Sequence, residues 1–228
     1  MNTLKLSFAT VILAAWMPMA SAAPLLDQEF DAFAAGSSGG ATLIPRQILY
    51  QTFTVGLGGT LASVELQAQQ DFDTPTDDLV VSILATSGGT PDPATVLGSV
   101  SVPPGAVPPA DFSNVPFFSV DLSGLGIAVT PGEQLAIRLS QASADSRYFW
   151  YEAEDFVEEE EGTPPPSGFY AGGASFVGSD LASIPFVNTR VDVGFRTFVE
   201  PVVIPEPTSA GLLSMLFLGA YARRRREA

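Results

Sequence analysis

The sequence predicts an all-β protein, a two-sheet antiparallel sandwich flanked by two apolar ends. Three observations support this fold class. Apolar and polar residues alternate with a period of two along much of the chain, turn-forming residues separate the alternating segments, and only the C-terminal tail and residues 28–35 look helical. Eight or nine short strands at regular spacing are typical of a sandwich.

The strands are expected at intervals along the middle of the chain. In chain order the candidates are residues 49–55, 63–68, 79–85, 96–102, 118–122, 135–139, 148–151, 169–177 and 191–196. Alternation such as Val64, Leu66 and Ala68 against Ser63, Glu65 and Gln67 predicts a strand with one buried face. Turns are expected at residues 58–59, 87–91, 102–105 and 130–132, where Gly and Pro cluster.

The first 23 residues predict a secretory signal peptide. Lys5 gives a basic start, residues 6–19 an apolar core, and Ala20-Ser21-Ala22 a small-residue cleavage site. Signal peptidase is therefore an expected partner, and the mature chain is expected to begin near Ala23 or Pro24. The alternative is an uncleaved N-terminal membrane anchor, for which the apolar stretch is short.

The last 24 residues, 205–228, combine three features in a fixed order. Pro205-Glu206-Pro207 predicts a non-helical strip that a protease can reach, because proline lacks an amide donor and favours extended backbone before it. Residues 208–222 predict an apolar helix of about 22 Å, short of the roughly 30 Å hydrocarbon core but able to span a thinned bilayer. A basic cluster follows, formed by Arg223, Arg224, Arg225 and Arg226, and it is expected to stay cytoplasmic. A buried C-terminal helix of a soluble protein is the alternative.

This tail resembles the PEP-CTERM sorting signal of bacterial surface proteins. The resemblance implies insertion into the inner membrane, cleavage near residues 205–207 by an exosortase-like protease, and delivery to the cell surface or to the extracellular matrix of a biofilm. On this interpretation the domains are a signal peptide at 1–23, a β-sandwich at 24–204 and a sorting tail at 205–228 with its transmembrane helix at 208–222.

A second resemblance covers most of the middle domain. Residues 50–56, 79–83, 88–91, 129–135 and 193–197 resemble the choice-of-anchor R domain of bacterial surface proteins. The resemblance implies a jelly-roll-like sandwich, and it supplies no catalytic or ligand-binding residues. One departure from the pattern is the insertion at 152–166, which is longer and more acidic than expected.

Composition limits the chemistry of the middle domain. Residues 24–204 contain 23 acidic and 5 basic side chains, a net charge of −18, so nucleic acid and anionic headgroups are expected to be repelled. The chain has no cysteine and no histidine. That composition excludes disulfides, thiol catalysis, histidine-based triads and most zinc, copper and haem sites.

Acidic clusters are the candidate metal site. Seven carboxylates lie within residues 152–161, including Glu158, Glu159, Glu160 and Glu161, and a smaller group contains Asp71 and Asp73. Calcium is the candidate cofactor because hard cations take several oxygen ligands. The alternative is that the first cluster is a solvated loop and the second an ordinary turn, since neither has the spacing of a known calcium loop.

Consecutive rings are the candidate glycan contact. Tyr148, Phe149, Trp150 and Tyr151 would alternate between the two faces of a strand, and at most one face is expected in the core. Exposed rings beside carboxylates can stack on sugars, whereas the alternative places the rings in the core with hydroxyls at its edge.

Three functions fit these observations. The first is a non-enzymatic, exported surface or matrix protein. The second is a carbohydrate-binding module for an exopolysaccharide. The third is a glycoside hydrolase that uses two carboxylates, a mechanism that needs no histidine. The sequence favours the first, because no residue set specifies a reaction.

Overall fold

The computed structural model describes residues 22–35, 39–42, 47–71, 75–111, 113–141, 147–154, 170–188 and 191–202. These residues form mostly β-structure, and every strand pair is antiparallel, which confirms the predicted all-β class. The strands are β1 (Leu25–Phe30), β2 (Gly39–Thr42), β3 (Ile48–Thr54), β4 (Gly59–Leu66), β5 (Ala68–Gln70), β6 (Leu79–Ser87), β7 (Thr90–Val102), β8 (Phe118–Asp121), β9 (Ala128–Val129), β10 (Gln134–Gln141), β11 (Tyr148–Glu154), β12 (Ser175–Gly178), β13 (Phe186–Asn188), β14 (Val191–Val193) and β15 (Phe195–Pro201). Short 3-10 turns occupy Pro104–Ala106 and Ser123–Leu125.

The strands form three sheets. A five-stranded sheet has the order β1-β15-β4-β8, with β9 also paired to β4, and a six-stranded sheet has the order β13-β12-β3-β10-β6-β7. A third, four-stranded sheet has the order β14-β11-β2, with β5 also paired to β11. These antiparallel sheets support the predicted all-β sandwich, but the described strands divide among three sheets and not the two that were expected.

The third sheet arises where two neighbouring strands diverge. Strands β4 and β15 are paired up to Leu66 and Phe195, and beyond these residues β5 and β14 lie along the same edge of β11. Three backbone hydrogen bonds close this junction: Gln67 N to Gly194 O (3.1 Å), Gly194 N to Tyr151 O (2.9 Å) and Tyr151 N to Gln67 O (2.9 Å). The small sheet is thus attached directly to the five-stranded one.

One hydrophobic core joins all three sheets. Its members include Leu61 and Phe195 from the five-stranded sheet, Ile137 from the six-stranded sheet, and Trp150 and Val193 from the small sheet. A second, smaller cluster covers the other face of the six-stranded sheet and consists of Ile48, Tyr50, Leu84, Ala136 and Phe176. Because clusters pack on both faces of β3 and β10, these central strands do not have the single buried face that alternation predicts.

The expected helix at residues 28–35 is absent. Residues 28–30 belong to β1, which pairs with β15, and a turn follows over residues 32–35. In the part of the chain described above, no helix has the length and apolar character needed to cross a membrane. The predicted membrane helix at 208–222, the sorting tail and nearly all of the predicted signal peptide lie outside the described residues.

Candidate functional site

The consecutive rings of β11 are buried on both faces of the strand. Tyr148, Trp150 and Tyr151 are at most 2% exposed, and only Phe149 is partly exposed. The expectation that at most one face would lie in the core is wrong. An exposed ring pair, which the sugar-platform hypothesis requires, is not formed by this strand.

Hydrogen bonds explain how the polar atoms of these rings are accommodated. Trp150 Nε1 donates to the carbonyl of Gly194 (2.9 Å), Tyr151 donates to Gln69 Oε1 (3.2 Å), and Tyr148 donates to the carbonyl of Asp77. Burial raises the pKa of both Tyr148 and Tyr151 to about 12. The rings therefore act as packing and anchoring groups at the junction of the two sheets.

The candidate calcium ligands are not assembled within the described residues. Asp71 lies 3.8 Å from the guanidinium of Arg147, which is a cation rather than a co-ligand. Across the described ranges, no group of three or more acidic side chains could hold a metal ion. Asp73 and the run Glu158, Glu159, Glu160 and Glu161 lie outside those ranges, and so do the sorting residues Pro205, Glu206 and Pro207 with the cluster Arg223, Arg224, Arg225 and Arg226.

A buried carboxylate that the sequence did not identify lies between the small sheet and β3. Asp192 is only 3% exposed; its Oδ1 accepts from Gln51 Nε2 (2.8 Å) and its Oδ2 accepts from the backbone N of Tyr170 (2.9 Å). Burial raises the pKa of Asp192 to about 6, against the lowering effect of these two hydrogen bonds. In the predicted strand at 191–196, alternation of Asp192 with Val191 and Val193 predicts an exposed position for Asp192, and this prediction is wrong.

The hydrogen bonds of Asp192 connect β14 and Tyr170 to β3. Gln51 Oε1 in turn accepts from the backbone N of Val193 (3.1 Å), so Gln51 and Asp192 fix β14 and Tyr170 to β3. A glycosidase acid needs a raised pKa and access to the glycosidic oxygen. Asp192 has the first property and lacks the second because it is enclosed.

The outer face of the five-stranded sheet carries a partly exposed arrangement of charged side chains and rings. Arg196 on β15 lies in register between Glu29 on β1 and Glu65 on β4. Its guanidinium is 2.6 Å from Glu29 and 3.4 Å from Glu65, and it stacks 3.9 Å from the ring centroid of Phe117. The side chain of Phe198, two residues on, is half-buried on the same face. This face combines apolar rings with hydrogen-bonding groups.

The comparisons with known proteins provide no family for this arrangement. No protein-family model matches the chain, and no curated protein matches it in a sequence search. The function therefore has to be argued from the residues themselves.

Proposed function

We propose that this chain is an exported, non-enzymatic protein of the cell surface or extracellular matrix, sorted and cleaved through its PEP-CTERM-like tail. The observation that carries the proposal is the order of Pro205-Glu206-Pro207, the apolar run 208–222 and the four arginines 223–226. A basic cluster after a short apolar segment is a topogenic signal, and a proline-bracketed strip before it is accessible to a protease.

The positions of the first and last strands support this proposal. Leu25 at the start of β1 pairs with Val199 near the end of β15, so the chain enters and leaves the β core side by side, on neighbouring strands of one sheet. The signal peptide and the sorting tail would then join the core at the same end. A precursor held at both ends could insert both segments into one membrane without unfolding the core.

The proposal also includes the finer classification of the fold as a jelly-roll-like sandwich. Antiparallel sheets around a shared core agree with a jelly-roll-like sandwich of the choice-of-anchor type. Such a domain would serve as a durable folded body outside the cell. Its stability would come from packing alone, because the chain has no cysteine for disulfides.

Replacement of the basic cluster tests the proposal. Changing Arg223, Arg224, Arg225 and Arg226 together to glutamine removes the topogenic charge, and we expect loss of orientation and failure of C-terminal processing, measured by membrane fractionation and intact mass. The matched control changes the same four residues to lysine, which keeps the charge and should be processed like the wild type. Normal processing of the glutamine variant would contradict the proposal.

Carbohydrate binding is the second candidate function, and it involves residues other than the ring run at 148–151. The outer face around Arg196 offers the rings of Phe117 and Phe198 beside the carboxylates of Glu29 and Glu65. Rings can stack on apolar sugar faces while carboxylates accept hydrogen bonds from hydroxyl groups.

Calorimetric titration with neutral matrix polysaccharides tests this second candidate. We expect Phe198→Ala to weaken binding at least tenfold and Phe186→Ala, on another sheet, to leave it unchanged. No heat of binding from the wild type would exclude the candidate. The buried position of Trp150 makes calorimetry preferable to tryptophan fluorescence.

A further inference from the structure

Exposed apolar side chains gather where the described chain enters and leaves the β core. Leu25 and Leu26 begin β1 and are 50% and 47% exposed, and Val202, which follows β15, is 73% exposed. Leu25 pairs with Val199 on β15, so Val202 comes only three residues after that partner. We call Leu25, Leu26 and Val202 the terminal patch.

The turns beside the terminal patch are uncharged. Pro201 at the end of β15 pairs with Gly59, and Gly59 pairs with Val129, which is followed within two residues by the exposed Pro131. A Cβ on Gly58 would lie 3.2 Å from Cδ of Pro131, so the turns before β4 and after β9 are in contact. This end of the five-stranded sheet therefore presents small and apolar residues.

Two carboxylates flank the terminal patch along the chain, Asp27 and Glu200. Asp27 Oδ1 accepts from the backbone N of Gly56 (2.9 Å) and of Leu57 (2.6 Å), and Glu200 is half-buried. Residues 24–204 carry a net charge of −18 in total. An anionic surface is therefore repelled from this end, whereas an electroneutral apolar surface is not.

Both proposed membrane segments join the core at the terminal patch. The apolar run at 208–222 begins six residues after Val202, so Val202 lies no more than about 22 Å from its start even in a fully extended chain. The predicted signal peptide at 1–23 ends two residues before Leu25. In the proposed precursor, the terminal patch is therefore held beside the bilayer.

We propose that the terminal patch contacts the surface of an electroneutral lipid bilayer while the tail is anchored. Apolar side chains are stabilised when they move from water into the boundary between headgroups and acyl chains. Three such side chains are a small contact, but a short tether raises their effective concentration at the bilayer to the millimolar range. The inference rests on the proposed function and adds the orientation of the core and its release, because cleavage near 205–207 removes the tether.

A second group of exposed apolar residues lies at the opposite end of the molecule and supplies a control. Leu181 is 54% exposed and comes three residues after Gly178, which pairs with Ile48 at the start of β3. Gly56, just after the end of β3, contacts Asp27 beside the terminal patch. A contact caused by general stickiness would involve both ends, whereas a tethered contact involves only the terminal patch.

Quenching of site-specific labels by a lipid-borne quencher tests the proposal. The chain has no cysteine, so each single-cysteine variant of the full-length chain takes one fluorophore. The variants are Leu26→Cys and Val202→Cys in the terminal patch, Leu181→Cys at the opposite end and Leu216→Cys in the apolar run. In phosphatidylcholine vesicles that contain a nitroxide lipid, we expect at least threefold stronger quenching at 26 and 202 than at 181.

The outcomes distinguish this inference from the proposed function. Strong quenching at 216 with equal quenching at 26, 202 and 181 would overturn the contact and leave the membrane anchor intact. Absence of quenching at 216 would overturn the anchor, and the contact with it.

A double substitution tests the side chains themselves. Changing Leu25 and Leu26 together to glutamine should lower the quenching at 202 at least twofold, and the matched change of Leu181 and Ile184 to glutamine should leave it unaltered. Unchanged quenching at 202 in the first variant would contradict the proposal. The comparison of 202 with 181 in the otherwise unchanged chain decides the matter even when that variant does not fold.

Discussion

Truncation of Phe195 to alanine is expected to remove a large part of the stability of the β core. Phe195 begins β15 and is fully buried at the point where the small sheet meets the five-stranded one. Its ring meets Tyr170 edge to face with centroids 5.1 Å apart, and it lies 6.1 Å from the ring of Phe53. The residue therefore links β15 to β3 of the six-stranded sheet and to the segment after the acidic insertion.

The magnitude follows from these contacts. A Phe-to-Ala change in a core costs about 3–5 kcal/mol, including the cavity that remains. The loss of two ring pairs, each contributing about 0.5–1.5 kcal/mol, argues against the lower end of that range, so we take its middle, about 4 kcal/mol, for Phe195→Ala. A single domain has a total free energy of unfolding of about 5–15 kcal/mol, so the variant should remain folded only marginally.

Urea unfolding followed by tryptophan fluorescence measures this change. The chain has two tryptophans; Trp16 lies in the predicted signal peptide, and Trp150 is buried beside the junction, so Trp150 reports on the core. With a slope of about 2 kcal/mol/M, the midpoint should fall by about 2 M. The control Phe186→Ala removes a ring that is 77% exposed and should change stability by less than about 0.5 kcal/mol. A loss below about 1 kcal/mol for Phe195→Ala would refute the assigned core.

Three further predictions concern the junction, the buried acid and the surface. Gly194→Ala should lower the free energy of unfolding by about 1–3 kcal/mol in urea, because the new Cβ would lie 2.7 Å from Cδ of Gln67. The control Gly105→Ala, whose Cβ would meet nothing within 4 Å, should cost less. Equal losses for the two variants would contradict this packing. Burial raises the pKa of Asp192 in the folded state to about 6, above the ordinary aspartate value of 3.8, so the wild type loses stability as the pH rises from 4 to 7. The stability of Asp192→Asn relative to the wild type should therefore increase by about 2 kcal/mol between pH 4 and pH 7, and a difference independent of pH would be inconsistent with the raised pKa. Arg196→Met should lower the free energy of unfolding by less than about 1 kcal/mol, and by still less at high salt, because the ion pairs of Arg196 are partly exposed. A larger loss that does not depend on salt would contradict this prediction.

Alternation in the sequence predicted the one-sided strands well. In β4 and β8 the apolar residues Val64, Leu66 and Val120 are buried, while Glu65 and Asp121 face outwards as expected. These strands belong to a sheet with one buried and one solvent-facing side, so apolar and polar residues alternate along them.

The same reasoning failed where both faces of a strand are covered. Arg138 and Asp192 occupy polar positions in alternating segments, yet they are only 7% and 3% exposed. Burial of the second face depends on residues distant in sequence, as with the hydrogen bond between Asp192 and Gln51, which are 141 positions apart. A local pattern carries no information about such contacts.

The candidate sites also differ in whether they depend on distant contacts or on adjacent residues alone. The sequence identified the ring run at 148–151 as unusual, and β11 does begin there, but the junction formed by Gln67, Tyr151 and Gly194 determines that its rings are enclosed. That junction requires three segments to meet, and none of them has a motif of its own. The sorting tail is the opposite case, since its argument depends on adjacent residues alone.

Mass analysis of both ends of the exported protein tests the central claim most directly. Intact and peptide masses from the cell envelope and the culture medium should show a new N-terminus near Ala23 or Pro24 and a new C-terminus within or beside residues 205–207. Recovery of the full 228-residue chain from the soluble cytosolic fraction, with both ends intact, would contradict the account.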